Sequence, residues 1–208
     1  AYIMKRLGHN LFKNAFTAKH DGTNFDDTAA FFNGFKTIID NDISGTNEDK
    51  KIKISEEIGN LQLGADPITS SNAEDTIKDF YWSRSDELRG QDLKLFMSDK
   101  TYHYYTQDYQ LTHGALPYNT SYDKNTLEGA SNVELVPLSN VPSDFLLLTP
   151  KPNIFCLFNQ QSDDEKYLCE PSLNNHYDVD FIANMFFGVQ FQSVSKESFS
   201  VWEKKVTA

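Results

Sequence analysis

Between Tyr177 and Phe191 every second residue is apolar: Tyr177, Val179, Phe181, Ala183, Met185, Phe187, Val189 and Phe191. Side chains alternate across a strand, so this period of two specifies one long strand, or a pair of strands, with a buried face. A helical segment around Phe181 to Phe187 stays open, because the same residues also fit a helical spacing. Three more apolar runs precede it, VELVPL, DFLLLTP and NIFCLF, separated by turn residues and prolines, and YLCE follows them. The second half of the chain is therefore rich in strands, and those strands need a second layer to cover them.

The first half supplies helices. Ile3, Leu7, Leu11 and Ala15 recur at helical spacing, which predicts a helix ending near His20-Asp21-Gly22. FFNGFKTIID is a short apolar element, and KIKI reads as a short strand. Ser71 with Glu74 three residues on is a capping box for a helix that buries Ala73, Ile77, Phe80 and Tyr81. LKLFM is a strand, and Ser98 behind it caps a helix carrying Tyr102, Tyr105 and Tyr109. His113 to Gly129, rich in Tyr, Asn, Thr and Gly, reads as a long ordered loop. The fold class is α+β. The opening AYIMKRLGHNLF, with no helix-start signal before it, reads as a segment of a longer polypeptide.

Composition excludes several functions. The 208 residues are 39% hydrophobic and enough to bury a core, while the longest apolar runs fall far short of the roughly 18 residues of a membrane span. A formal charge of -11 provides no basic docking face for nucleic acid or anionic lipid. Cys156 and Cys169 are too few for a disulfide framework or a metal quartet, which fits a reducing compartment.

The segment Asp40 to Lys51, DNDISGTNEDKK, opens like a calcium loop with acids at positions 1 and 3 and Gly at 6. Position 12, where a bidentate Glu would close the cage, is Lys51, so the segment reads as a solvated loop. No nucleophile elbow, phosphate-binding glycine motif or cysteine signature is present, and no cofactor is implied. The acidic run Asp163 to Glu165 reads as a solvated turn. The sharpest candidate for chemistry is His176, Asp178 and Asp180, which strand alternation would place on one face, where they could hold a metal. An exposed polar face opposite Tyr177, Val179 and Phe181 accounts for the same pattern. The tyrosines from Tyr102 to Tyr122 lack the interleaved basic residues that would track a nucleic-acid backbone.

Four passages, in order, resemble the major capsid proteins of tailed bacteriophages, whose fold is shared with encapsulins. FFNGFKTIID resembles the segment after that family's spine helix. ITSSNAEDTIKDFYWSRSDELRGQDLKLFMSDKTYHYY resembles its capped helix, strand ending in FMS, and helix with a Tyr pair. VELVPLSNVPSDFLLLTPKPNIFCLF resembles its V-P strand, apolar strand and T-P-K-x-N passage, and MFFGVQFQ resembles its closing G-V strand.

The resemblance implies an axial domain plus part of a peripheral domain: residues 1–30 end the spine helix, 31–170 form the axial domain and 171–208 return to the peripheral domain. It implies a structural subunit, not an enzyme, of an icosahedral phage or prophage shell around double-stranded DNA. Such a subunit self-assembles into capsomers in the bacterial cytoplasm, with scaffold or other virion proteins as partners, and ends in the virion. His113, Leu116, Tyr118 and Tyr122 would then lie at a contact between subunits. Asn184 falls where some relatives carry the Asn of an isopeptide cross-link, but the chain contains no counterpart of the donor loop. The alternatives are an encapsulin-like nanocompartment subunit and a metal-binding or carbohydrate-binding module.

Overall fold

The computed structural model describes residues 2–23, 27–44, 53–117, 125–158, 167–172, 177–183 and 187–205. Helix α1 (Tyr2–Asn14) is followed by a 3-10 turn (Thr28–Ala30), α2 (Phe35–Ile43), strand β1 (Leu61–Gly64), α3 (Ala73–Ser83) and the single turn α4 (Asp86–Arg89). Then come β2 (Leu93–Ser98), α5 (Asp99–His113), β3 (Thr126–Leu127), β4 (Ala130–Leu138) and β5 (Phe145–Thr149). The chain continues through β6 (Ile154–Phe158), β7 (Tyr167–Pro171), β8 (Val179–Ala183), β9 (Phe187–Phe191) and β10 (Ser200–Lys204). No helix among the described residues is long and apolar enough to cross a membrane.

Six strands form one mixed sheet in the order β1-β10-β5-β2-β4-β3, and β6-β9 and β7-β8 form two antiparallel ribbons. Strand β5 explains the layering. All five of its residues are buried, as its uninterrupted apolar run requires of a strand covered on both faces. Leu146 and Leu148 point into a core with Ile77 and Phe80 of α3 and Tyr105 of α5. Phe145 and Leu147 point the other way, into a core with Leu11 of α1, Ile39 of α2 and Phe191 of β9.

The first core's helices and strands follow the sequence expectation, with Ala73, Ile77, Phe80 and Tyr81 buried and the Ser98 hydroxyl accepting from Thr101 N at 3.0 Å. The T-P-K-x-N passage also acquires a physical basis. Asn153 Nδ2 donates to Thr149 Oγ1 at 2.9 Å and to Ser193 O at 2.8 Å, and Asn153 Oδ1 accepts from Ser193 N at 2.8 Å. One buried side chain thereby ties the end of β5 to the residues just past β9.

Several expectations are corrected. Helix α1 stops at Asn14, ahead of the predicted His20-Gly22 end, because the residues after it serve a different purpose. Gly34 N, Phe35 N and Lys36 N donate to the carbonyls of Ala18, Ala15 and Phe16 at 2.8, 3.0 and 2.9 Å. Those carbonyls satisfy amides at the start of α2, whose N-cap, Gly34, has no side chain to do so. The capping box is replaced as well: the N-cap of α3 is Asn72, and Glu74 N donates at 2.8 Å to Asp108 Oδ2 of α5. Lys53 and Ile54, the described part of KIKI, lie outside any strand, and the sheet is instead edged by β1.

The His113-to-Gly129 segment is not wholly a loop, since β3 within it pairs with β4. The alternating run is a pair of strands whose burial is split. Val189 and Phe191 of β9 are buried, while Tyr177 is 95% exposed and Val179 of β8 is also exposed. β9 lies against α2, whereas β8 pairs only with β7 among the described strands.

Candidate subunit-contact surface

The segment implicated in contact begins at the end of α5, which is clamped to α3 by a cluster of polar groups. Glu74 of α3 is buried, and its carboxylate accepts from Lys78 Nζ one turn on and from His113 Nε2 at 2.9 Å. The His113 ring stacks on Tyr109 with centroids 4.3 Å apart, and Lys78 Nζ lies 5.7 Å above the same Tyr109 ring. Burial raises the Glu74 carboxyl, but the hydrogen bonds from Lys78 and His113 outweigh it and hold Glu74 below its ordinary value. One turn deeper, the fully buried Tyr105 accepts from Glu128 N at 3.4 Å, and burial pushes its hydroxyl well above the usual phenol range. The helix then ends on Gly114, whose φ of 70° is the left-handed cap that reverses the chain, with its N–H on Gln110 O.

This arrangement holds a short apolar tip out from the body. Leu116 is 51% exposed, and Leu111, on the outer side of α5, is 72% exposed. Rigidly mounted apolar side chains of this kind supply contact area at low entropic cost. His113 and Leu116 thus lie on either side of the Gly114 turn, and His113 is an anchor held by Glu74 rather than a free contact group. Tyr118 and Tyr122 lie outside the described residues. Leu111 was legible in principle, because it breaks the Tyr102, Tyr105, Tyr109 stripe and must face away from the core.

The other candidates are not brought together. Asp178 is exposed just before β8, Asp180 sits on β8 opposite Glu170, and His176 lies outside the described residues, as does Asn184. Among the described residues no group of three His, Cys, Asp or Glu side chains is placed to hold a metal ion. The start of the calcium-like segment is helical: α2 runs through Ile43, and Asp40 pairs with Lys36 at 2.7 Å instead of opening a loop. Cys156 and Cys169 are free and exposed.

No protein-family model matches the sequence, and no curated protein shows significant similarity. Solved structures do match. A chain of the satellite phage P4 procapsid, in a structure that includes the size determination (Sid) protein, aligns with 99% of this chain at a TM-score of 0.55 and 13% identity. A chain of the cyanophage A-1(L) capsid asymmetric unit aligns with 100% of it at a TM-score of 0.54 and 15% identity. The chain has the phage major-capsid-like fold. It spans 62% of the P4 procapsid chain and 67% of the cyanophage chain. Within the capsid-like fold, the two-faced sheet and the clamped end of α5 are the features that position the exposed turn.

Proposed function

We propose that the protein is a structural subunit of an icosahedral phage or prophage shell, self-assembling into capsomers that enclose double-stranded DNA. The observation that carries this reading is the likeness of the whole chain to capsid chains of two phages. In this reading residues 1–30 end the spine helix, 31–170 form the axial domain and 171–208 return to the peripheral domain, lending β10 to the central sheet on the way. His113, Leu116, Tyr118 and Tyr122 form the contact between neighbouring axial domains, with Leu111 added beside them. The protein is not an enzyme, assembles in the bacterial cytoplasm with scaffold or other virion proteins, and is incorporated in the virion.

Shell subunits meet through repeated contacts between identical chains. A net charge of -11 makes those contacts dependent on patches without charge, of which the Leu111–Leu116 tip is one. Negative-stain electron microscopy of the protein expressed alone tests the reading. Rings or closed shells that disappear in the double variant Leu111→Asp, Leu116→Asp, with circular dichroism unchanged, support it. A strictly monomeric protein across concentration and salt overturns it.

A further inference from the structure

Among the described residues, the ribbon β6-β9 has a strand edge without a partner. Among the described residues β6 pairs only with β9, and α2 packs against β9, so the far edge of β6 carries no partner strand. Exposed strand edges are ordinarily blunted by charge, proline or a bulge. Ile154 to Phe158, IFCLF, has neither a charged residue nor a proline, and its pairing with β9 is regular over all five positions. Phe155 is 41% exposed, Leu157 is 55% exposed, and Cys156 between them is exposed too. The neighbouring groove, lined by Ile38, Asn41, Leu157, Gly188 and Gln190 among others, is likewise free of charged side chains.

The occupant can be argued from charge and from symmetry. Two copies that each carry -11 repel one another over most of their surfaces, and an edge without charge is where that repulsion is least. The strand is also close to palindromic about Cys156: antiparallel pairing of two copies sets Phe155 opposite Leu157 and Ile154 opposite Phe158. Because residues two apart share a face, both copies' Phe155 and Leu157 would gather on one side of the joint.

We propose that the free edge of β6 is a two-fold contact between two copies of this chain, each β6 adding antiparallel to the other with Cys156 on the axis. The contact is isologous and self-limiting. It extends the ribbon to four strands, β9-β6-β6-β9, and covers the exposed Phe155 and Leu157 side chains. It is separate from the α5 tip and does not depend on it.

The geometry provides its own test. Directly opposed residues of an antiparallel pair have Cα atoms about 4.5–5.5 Å apart, inside the roughly 4.4–6.8 Å range that a disulfide spans. The Cys169→Ser protein, oxidised with copper phenanthroline at micromolar concentration, is expected to form a Cys156-linked dimer on a non-reducing gel. Each link releases two thiol hydrogens to the oxidant. Cys156→Ser is expected to form none. Adding Leu157→Lys, a charge of the kind that blunts natural edges, is expected to cut the yield at least about fivefold. Phe155→Lys repeats the test at a second exposed position, with circular dichroism as the check on folding.

No Cys156 dimer, or a yield indifferent to both lysines in folded protein, overturns the contact. The outcomes also separate this inference from the shell reading. Dimers from a protein that forms no rings or shells leave the contact standing and overturn the shell; shells in which Cys156 stays unlinked overturn the contact alone.

Discussion

Gly34 and Gly8 predict opposite outcomes for one chemical change. A Cβ built on Gly34 would lie 2.5 Å from both the carbonyl carbon and the oxygen of Phe16 and 2.8 Å from Ala15 O. All of these are backbone atoms, so no side chain can swing aside, and relief requires the end of α1 to separate from the start of α2. That separation breaks the three backbone hydrogen bonds from Gly34, Phe35 and Lys36. At about 0.5–1.5 kcal/mol each, the cost of Gly34→Ala is about 2–4 kcal/mol. Gly8 lies mid-way along α1 with nothing within 4 Å of an added Cβ. There the helix propensity of alanine acts alone, and Gly8→Ala gains about 0.5–1 kcal/mol. Urea unfolding of the two variants beside the parent protein measures both values. A Gly34→Ala protein within about 0.5 kcal/mol of the parent would refute the account of the α1–α2 clasp, because it would mean that the junction opens freely.

Three further outcomes follow from the buried polar groups. Glu74 has a folded pKa below its ordinary value, so its contribution is present above its unfolded pKa and is lost as pH falls through the folded one. Glu74→Gln is expected to cost about 2 kcal/mol at neutral pH, with the deficit closing below about pH 4; a deficit unchanged in acid would sink this assignment. Arg84 is 3% exposed and stacks 3.2 Å from the Tyr81 ring centroid, and its three side-chain nitrogens have no hydrogen-bond partner among the described residues. Burial pushes its pKa down to about 10, and Arg84→Met is expected to stabilise the fold by about 1 kcal/mol, measured by thermal unfolding, whereas a loss of that size would mean that the guanidinium is paired. Asn153→Ala removes the tie between the end of β5 and Ser193, and a loss of about 2–4 kcal/mol in chemical denaturation is expected.

Legibility in the sequence tracked how far each signal was local. DFLLLTP announced a strand because its FLLL is an unbroken apolar run bounded by turn residues, and Ser98 announced its helix because the amide that donates to its hydroxyl, Thr101 N, lies only three residues away. β10 was invisible. SVWEK carries two charged residues in five, and only its placement between β1 and β5 makes it a strand. β1 failed for the same reason, since LQLG lines up only against Val201 to Lys204. Ser71 and Glu74 satisfied the capping pattern, yet Asp108, distant in sequence, took the Glu74 amide and freed the carboxylate for His113. The exposed turn after α5 was half legible: the loop showed in its composition, and the clamp that holds it did not, because its partners come from α3 and α5.

The position of β10 also bears on how the protein is made. Leu61 of β1 pairs with Val201 of β10, and β5 pairs with β10 on its other side. A ribosome that has delivered β1 through β9 has therefore produced a sheet with a missing plank, its gap flanked by the wholly apolar FLLL of β5. Closing a span of that length costs about 4 kcal/mol of chain entropy, so the insertion comes late, and until it happens the nascent chain carries an adhesive edge. Any quality-control factor that attends this protein during synthesis has its target there, and chains interrupted before Ser200 are the ones expected to clump.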